Sequence, residues 1–212
     1  MTSVYFGPYN SALHYYSLVP EDLTFDLQYA RSDAYGGPKM AEIRVTGPVE
    51  SLWNLFEWMR RPVEVYSSTI GQPVWWGFVN EVRLSILGAE FGASLDSMTN
   101  KVKVLYSRET ADGSTEAAET DWVEDELSQN LYGIKETITS IGAAFDPEAI
   151  AQRDEIFAES VDPTPMPNRF DFTTSEAEAY ATLVCLGPIE LAKWRYYEYL
   201  EGRLEHDPSE DG

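Results

Sequence analysis

Two histidines, one cysteine and 36 acidic residues are the raw material for chemistry in this chain of 212 residues. His14 lies in a tyrosine-rich segment and His206 near an acidic end. Neither stands at the His-Glu-x-x-His spacing that puts two imidazoles on one helix face around zinc. Cys185 sits in the apolar run Thr182-Leu183-Val184-Cys185-Leu186. A single cysteine allows no intramolecular disulfide and no cysteine-built zinc site, so it reads as a buried structural thiol. Cys-His and Ser-His-Asp relays have little to draw on. Gly36-Gly37-Pro38 lacks the Lys-Ser/Thr of a phosphate loop and the third glycine of a dinucleotide loop, so it reads as a turn. Glycoside hydrolysis needs two carboxylates at a set separation beside sugar-stacking rings. Glu57 with Glu64, or Asp96 with Glu81, near Trp53, Trp75 and Trp76 fits that description, but nothing in the spacing selects a pair. Residues 112–126 are rich in carboxylates without the EF-hand pattern, which leaves weak calcium binding as an open option. The expectation is no catalytic, cofactor or metal residue, and a protein that is not an enzyme.

Charge points the same way. The formal net charge is −21, and it is unevenly spread. Residues 1–106 hold 11 acidic and 8 basic residues, whereas residues 107–212 hold 25 and 7. Such a chain repels phosphates and anionic membrane surfaces. The start of the chain reads as lacking a secretory leader, and no stretch approaches the ~20 apolar residues of a membrane span. The expectation is a protein made in the cytoplasm and kept off membranes.

The elements that would position any site are mostly strands. Residues 24–29 and 40–45 alternate apolar and polar side chains. Leu52, Leu55, Phe56 and Met59 form a helical stripe over 50–60, with Ser51 as N-cap and Pro62 as the stop. Residues 63–66, 74–86, 89–93 and 101–106 read as further strands that close a small, partly open barrel. Residues 107–120 are polar and read as a linker or long loop. A helix follows from Asp121, with Val123, Leu127 and Leu131 spaced by four, and Gly133 as its C-cap. Residues 134–141 read as a strand, and Asp146-Pro147-Glu148 opens a helix with Ile150 and Phe157 on its apolar side. Residues 180–186 read as another strand, and 205–212 as a disordered acidic tail. The expected division is a unit at 1–106, a linker at 107–120 and a second β-rich unit at 121–204.

Trp75-Trp76-Gly77 is the most unusual local feature. Adjacent strand residues face opposite sides, so one indole fills a core and the other faces outward or into a neighbour. Aromatic side chains concentrate at subunit contacts. Trp75, Trp76, Trp53, Tyr35 and Trp194 are therefore the candidate subunit-contact residues.

The stretches Tyr35-Gly36-Gly37-Pro38, Ala41 to Gly47, Leu52-Trp53, Pro73 to Val79, Ser94 to Val102, Leu131-Tyr132-Gly133, Leu186 to Glu190 and Trp194 to Tyr197 resemble tail proteins of tailed bacteriophages. The resemblance is diffuse and reaches to about residue 200. It implies a hub, tail-tip or baseplate component that is mainly β with a few helices (α+β), built as two small split β-barrels like those of tail-tube proteins. It implies a homo-oligomeric ring, a trimer or else a hexamer, around a channel through which DNA passes without specific binding. The implied neighbours are tube, distal tail and fibre proteins. The implied location is the phage virion tail, assembled in the host cytoplasm. A distal-tail or head–tail adaptor ring is the nearest alternative, and a tail-borne cell-wall hydrolase is the alternative of another class. The chain departs from longer hubs by ending soon after Tyr199, which argues against a host-binding role.

Overall fold

The computed structural model describes residues 2–8, 19–34, 37–110, 112–170 and 179–194. About half of these lie in strands, so the chain is mainly β, as the alternating patterns require. In chain order the elements are β1 (Thr2–Phe6), β2 (Thr24–Asp33), β3 (Gly37–Thr46), α1 (Val49–Trp53), β4 (Pro62–Ser67), β5 (Gln72–Ile86), β6 (Ala89–Ser94), β7 (Lys101–Glu109), β8 (Thr115–Glu119), β9 (Val123–Glu124), α2 (Glu126–Tyr132), β10 (Glu136–Ala144), α3 (Asp146–Ser160), β11 (Met166–Phe170) and β12 (Tyr180–Leu186). Short 3-10 turns follow α1, β6 and β12.

The first sheet runs β1-β4-β5-β12-β3-β2, with β6 on β5 and β11 on β6. It curls into a half-barrel. Its two edges, β1 and β2, come together along a cleft lined by Ser3, Val4, Phe25 and Leu27. The inner face carries Phe6, Ile43, Val45, Val63, Val65, Trp75, Val82, Leu84, Leu183 and Cys185. The predicted stripe Leu52, Leu55, Phe56 and Met59 is buried against this face. The helix itself is shorter than expected: α1 passes into a 3-10 turn over 54–58, and Arg60 turns the chain with φ 70°. Ser51 is not the cap; its hydroxyl binds the Asp22 carboxylate instead.

β5 is long enough to serve two partners along one side, β4 over Gln72–Phe78 and β6 over Glu81–Ile86. The change of partner falls at a bulge, where Val184 pairs with Glu81 and Cys185 with Val79, leaving Asn80 extra. Gly77 sits just before it, where any side chain would strike the Leu186 carbonyl and the Trp75 ring.

The second sheet runs β10-β7-β8, with β9 on β7. β10 lies parallel to β7, and α2 makes the crossover between β9 and β10. α3 packs across β7 through Ala149 and Tyr106. Residues 101–106, expected to close the first unit, thus centre the second sheet. Residues 107–120, expected as a linker, are the rest of β7 and the β8 hairpin. The expected 121–204 unit is divided between the sheets. Its strand β12 sits between β3 and β5, and β11 pairs with β6. An all-apolar run such as Leu183 to Leu186 suits a central strand, but local sequence does not say which sheet receives it. The expected acidic tail at 205–212 lies outside the described residues.

Just before β7, Asn100 is fully buried and ties this strand to α2 and to the chain entering β10. Its side-chain amide donates to Ser128 Oγ (3.2 Å) and the Gly133 carbonyl (2.9 Å), and its Oδ1 accepts from the Lys135 amide (2.9 Å). Nearby, Ser128 Oγ donates to the Val161 carbonyl at 2.7 Å.

Candidate functional site

Alternation separates the paired tryptophans as expected. Trp75 is 1% exposed and its indole N–H donates to the Arg31 carbonyl at 3.2 Å. Trp76 is 44% exposed on the opposite face. Trp53 is 42% exposed, held edge-on by Phe56 and Phe91. Trp194 is buried against Phe78, with ring centroids 5.9 Å apart. Tyr35 lies outside the described residues. Of the five candidates, Trp76 and Trp53 therefore offer surface to a partner, while Trp75 and Trp194 belong to the chain's own core. Cys185 is fully buried, and burial pushes its thiol pKa up, away from reactive thiolate.

Trp194 marks a seam that the sequence did not reveal. The Arg60 guanidinium lies 5.9 Å from its ring centre and donates from Nε to the Tyr132 carbonyl at 2.9 Å. The Lys135 ammonium lies 5.4 Å from the same ring and donates to the Asp96 carbonyl at 2.8 Å. Burial lowers the pKa of both groups. These two bases thus bridge the sheets through carbonyls and an indole face. Arg60 and Lys135 are 75 residues apart in sequence numbering, and only the fold brings them to one ring.

The second sheet shows a sharper feature. Residues 101–160 contain 14 acidic and 5 basic residues. Twelve of the acidic residues are exposed. Of the bases, the Arg108 side chain is 40% exposed, while those of Lys101, Lys103 and Arg153 are 21%, 11% and 14% exposed. Lys101 pairs with Glu136 and Lys103 with Glu119, both at 3.0 Å, and both ammonium groups lie over the Trp122 ring. Arg108 joins Glu116 to Asp146, and Arg153 joins Asp154. The Tyr106 hydroxyl, and after it the Arg108 guanidinium, hold the Asp146 carboxyl below its ordinary pKa. The surface is thus dominated by carboxylates, and Lys101, Lys103, Arg108 and Arg153 are each paired with one or more of them. The sequence shows the acid excess, and the alternation of Lys101 and Lys103 with Val102 and Val104 puts both lysines on one face. That Trp122 covers them is a tertiary fact.

α2 departs from expectation. Leu127 is 77% and Leu131 46% exposed, while Ser128 faces inward. The leucine stripe therefore points to solvent, because Asn100 needs the Ser128 hydroxyl. Among the described residues no group of three or more His, Cys, Asp or Glu is arranged to hold a metal ion, and no helix is long and apolar enough to cross a membrane. No family model, no curated protein and no solved structure matches this chain.

Proposed function

We propose that the chain is a structural virion protein of a tailed bacteriophage, a hub or tail-tip component that works by assembly and shape with no turnover. The observation that supports this reading best is the acid-dominated surface of residues 101–160, where twelve acidic residues are exposed and the exposed Arg108 guanidinium is tied to Glu116 and Asp146. DNA binding draws on the release of counterions by basic side chains, so a wall of this kind lets a duplex slide past without holding it. In this reading the half-barrel and the second sheet stand for two tube-like split barrels. A trimer presents six such units around the channel, a hexamer twelve. Trp76 and Trp53 supply aromatic anchors for neighbouring tail proteins.

The test is immunogold electron microscopy on phage particles that contain the chain. Gold at the distal tail end supports the reading, and gold at the neck moves the protein to an adaptor ring. Virions without label, or release of peptidoglycan fragments by the purified chain, overturn it. Light scattering on the purified protein reads the copy number, with a trimer expected.

A further inference from the structure

The half-barrel and the second sheet share no continuous core. No strand of one pairs with a strand of the other, and their apolar clusters are separate. Among the described residues of 99–161, only Tyr132 packs on the core of the half-barrel. Units of one chain that meet without a large apolar interface move relative to each other by default.

The chain crosses between the two units twice, and the crossings lie side by side. At the first, Met98 is buried in the core of the half-barrel, whereas Thr99 already belongs to the second unit. The Thr99 amide donates to the Ser160 carbonyl at 2.8 Å, and its hydroxyl donates to the Lys135 carbonyl at 3.1 Å. At the second crossing, the Val161 carbonyl is still held by Ser128 Oγ at 2.7 Å, and by Met166 the chain has paired with Gly92 of β6. Residues 162–165 between them lie in neither helix nor strand, and Pro163 and Pro165 stiffen them. The Thr99–Ser160 hydrogen bond joins the two crossings, so together they define one axis.

Across the seam the units touch through side chains set against carbonyls and one ring. Arg60 Nε of the half-barrel donates to the Tyr132 carbonyl at 2.9 Å. Lys135 Nζ of the second unit donates to the Leu95 and Asp96 carbonyls. Both cations also lie against the ring of Trp194, which rests edge-on against Phe78 of β5. Gly133, at φ 90°, ends α2 and turns the chain so that Tyr132 and Lys135 both reach the half-barrel.

We infer that the second sheet is a hinged lobe. It turns about the crossings at Met98–Thr99 and 161–165, and the contacts of Arg60, Lys135 and Trp194 latch it against the half-barrel. These contacts exchange carbonyls for water when they part, which costs little net free energy, and neither core has to open. The device is a property of the fold and stands whether or not the protein belongs to a phage tail.

The test is double electron–electron resonance on the full chain, spin-labelled at Ala30→Cys and Ala117→Cys, exposed positions on the two units. Cys185 is fully buried and stays unlabelled. Label pairs within each unit, Ala30→Cys with Gln72→Cys and Ala117→Cys with Glu155→Cys, are run alongside. The native chain should give one sharp inter-unit distance and a minor, longer one. Arg60→Met should raise the ratio of longer to shorter distance by on the order of tenfold, and Trp194→Ala at least as much. The distances within each unit should stay fixed in both variants. An inter-unit distribution that neither substitution changes overturns the proposal. So does broadening within a unit equal to that between units, which would make these side chains part of a core and not a latch.

Discussion

The half-barrel and the second sheet are stabilised by different physics. In the half-barrel, two dozen buried apolar residues mesh, with Phe6, Phe25 and Trp58 in mutual ring contact. In the second sheet the apolar cluster is Tyr106, Ala144 and Ala149, with Ala118 and Ile141 at its margin. Val102 and Val104 of β7 are also fully buried, beside the buried polar groups Asn100, Lys103, Thr120 and Ser128. Thr120 Oγ1 accepts from the Val104 amide at 3.1 Å, which fastens the chain leaving β8 back onto β7. Burial of each large side chain is worth about 1.5–3 kcal/mol, so the first region tolerates the loss of any one polar contact. The second has little apolar area to fall back on. It must satisfy its hydrogen bonds or open, and it does so while bearing twelve exposed like charges.

The largest effect should come from the half-barrel. Phe78→Ala removes a fully buried ring that also supports Trp194, and should cost about 3–5 kcal/mol in urea unfolding. Because β5 links β4, β6 and β12, amide protection should fall through both sheets together. Loss of protection confined to β4 would break the view of the half-barrel as the global core.

Asn100→Leu is the matching test on the other side and should cost about 2–4 kcal/mol. It removes three hydrogen bonds in a buried place and orphans the Lys135 amide and the Gly133 carbonyl. Here exchange should rise first in β7, β10 and α2, while β3, β5 and β12 stay protected. Uniform loss would show that the second sheet is as strongly cored as the first.

This division was partly legible in the sequence. The alternation of Ile43 and Val45, the stripe of Leu52, Leu55, Phe56 and Met59, and the strand over 180–186 all appear where local pattern places them. Each owes its position to apolar burial, which writes a period into the chain. The second sheet resisted because polar contacts write none. Leu127 and Leu131 look like a buried stripe, and only the demand of Asn100 for Ser128 turns them outward. Residues 107–120 look like a linker because Glu116 and Glu119 belong to an exposed edge strand held by Arg108 and Lys103. Trp76 was legible as one of an in–out pair, but the recessed Glu64 beside it depends on a register between strands.

A smaller effect separates the two regions by pH. The Tyr106 hydroxyl donates to Asp146 Oδ1 at 2.7 Å at the start of α3. The folded pKa of Asp146 is depressed, so its contribution is present above the unfolded value of about 4 and is lost as pH falls through the lower folded value. Tyr106→Phe should therefore lower the melting temperature at pH 7. The gap to wild type should close as pH falls from about 4 toward the depressed value of Asp146. A gap that persists at lower pH would assign the role of Tyr106 to packing alone.

The smallest effect is a gain, and it lies in the hairpin turns. The β7–β8 turn is sealed by Asp112, whose Oδ1 accepts from the Thr110 hydroxyl and from the Ser114 hydroxyl and amide, and these bonds hold its pKa at about 2. The β5–β6 turn has only Leu87 and Gly88, both left-handed at φ 49° and 83°. A two-residue turn of this hand suits the twist of the strands but strains any residue with a branched bulk at its first position. Leu87 is 76% exposed, so its side chain returns almost nothing by burial. Leu87→Asn should raise stability by about 1 kcal/mol, read as a higher urea midpoint at unchanged slope. The same substitution logic offers nothing at Asp112, where the turn already has its bonds. An unchanged or lower midpoint for Leu87→Asn would mean that the exposed leucine is held by something other than the turn, and the half-barrel would then lose its claim to be limited by backbone strain there.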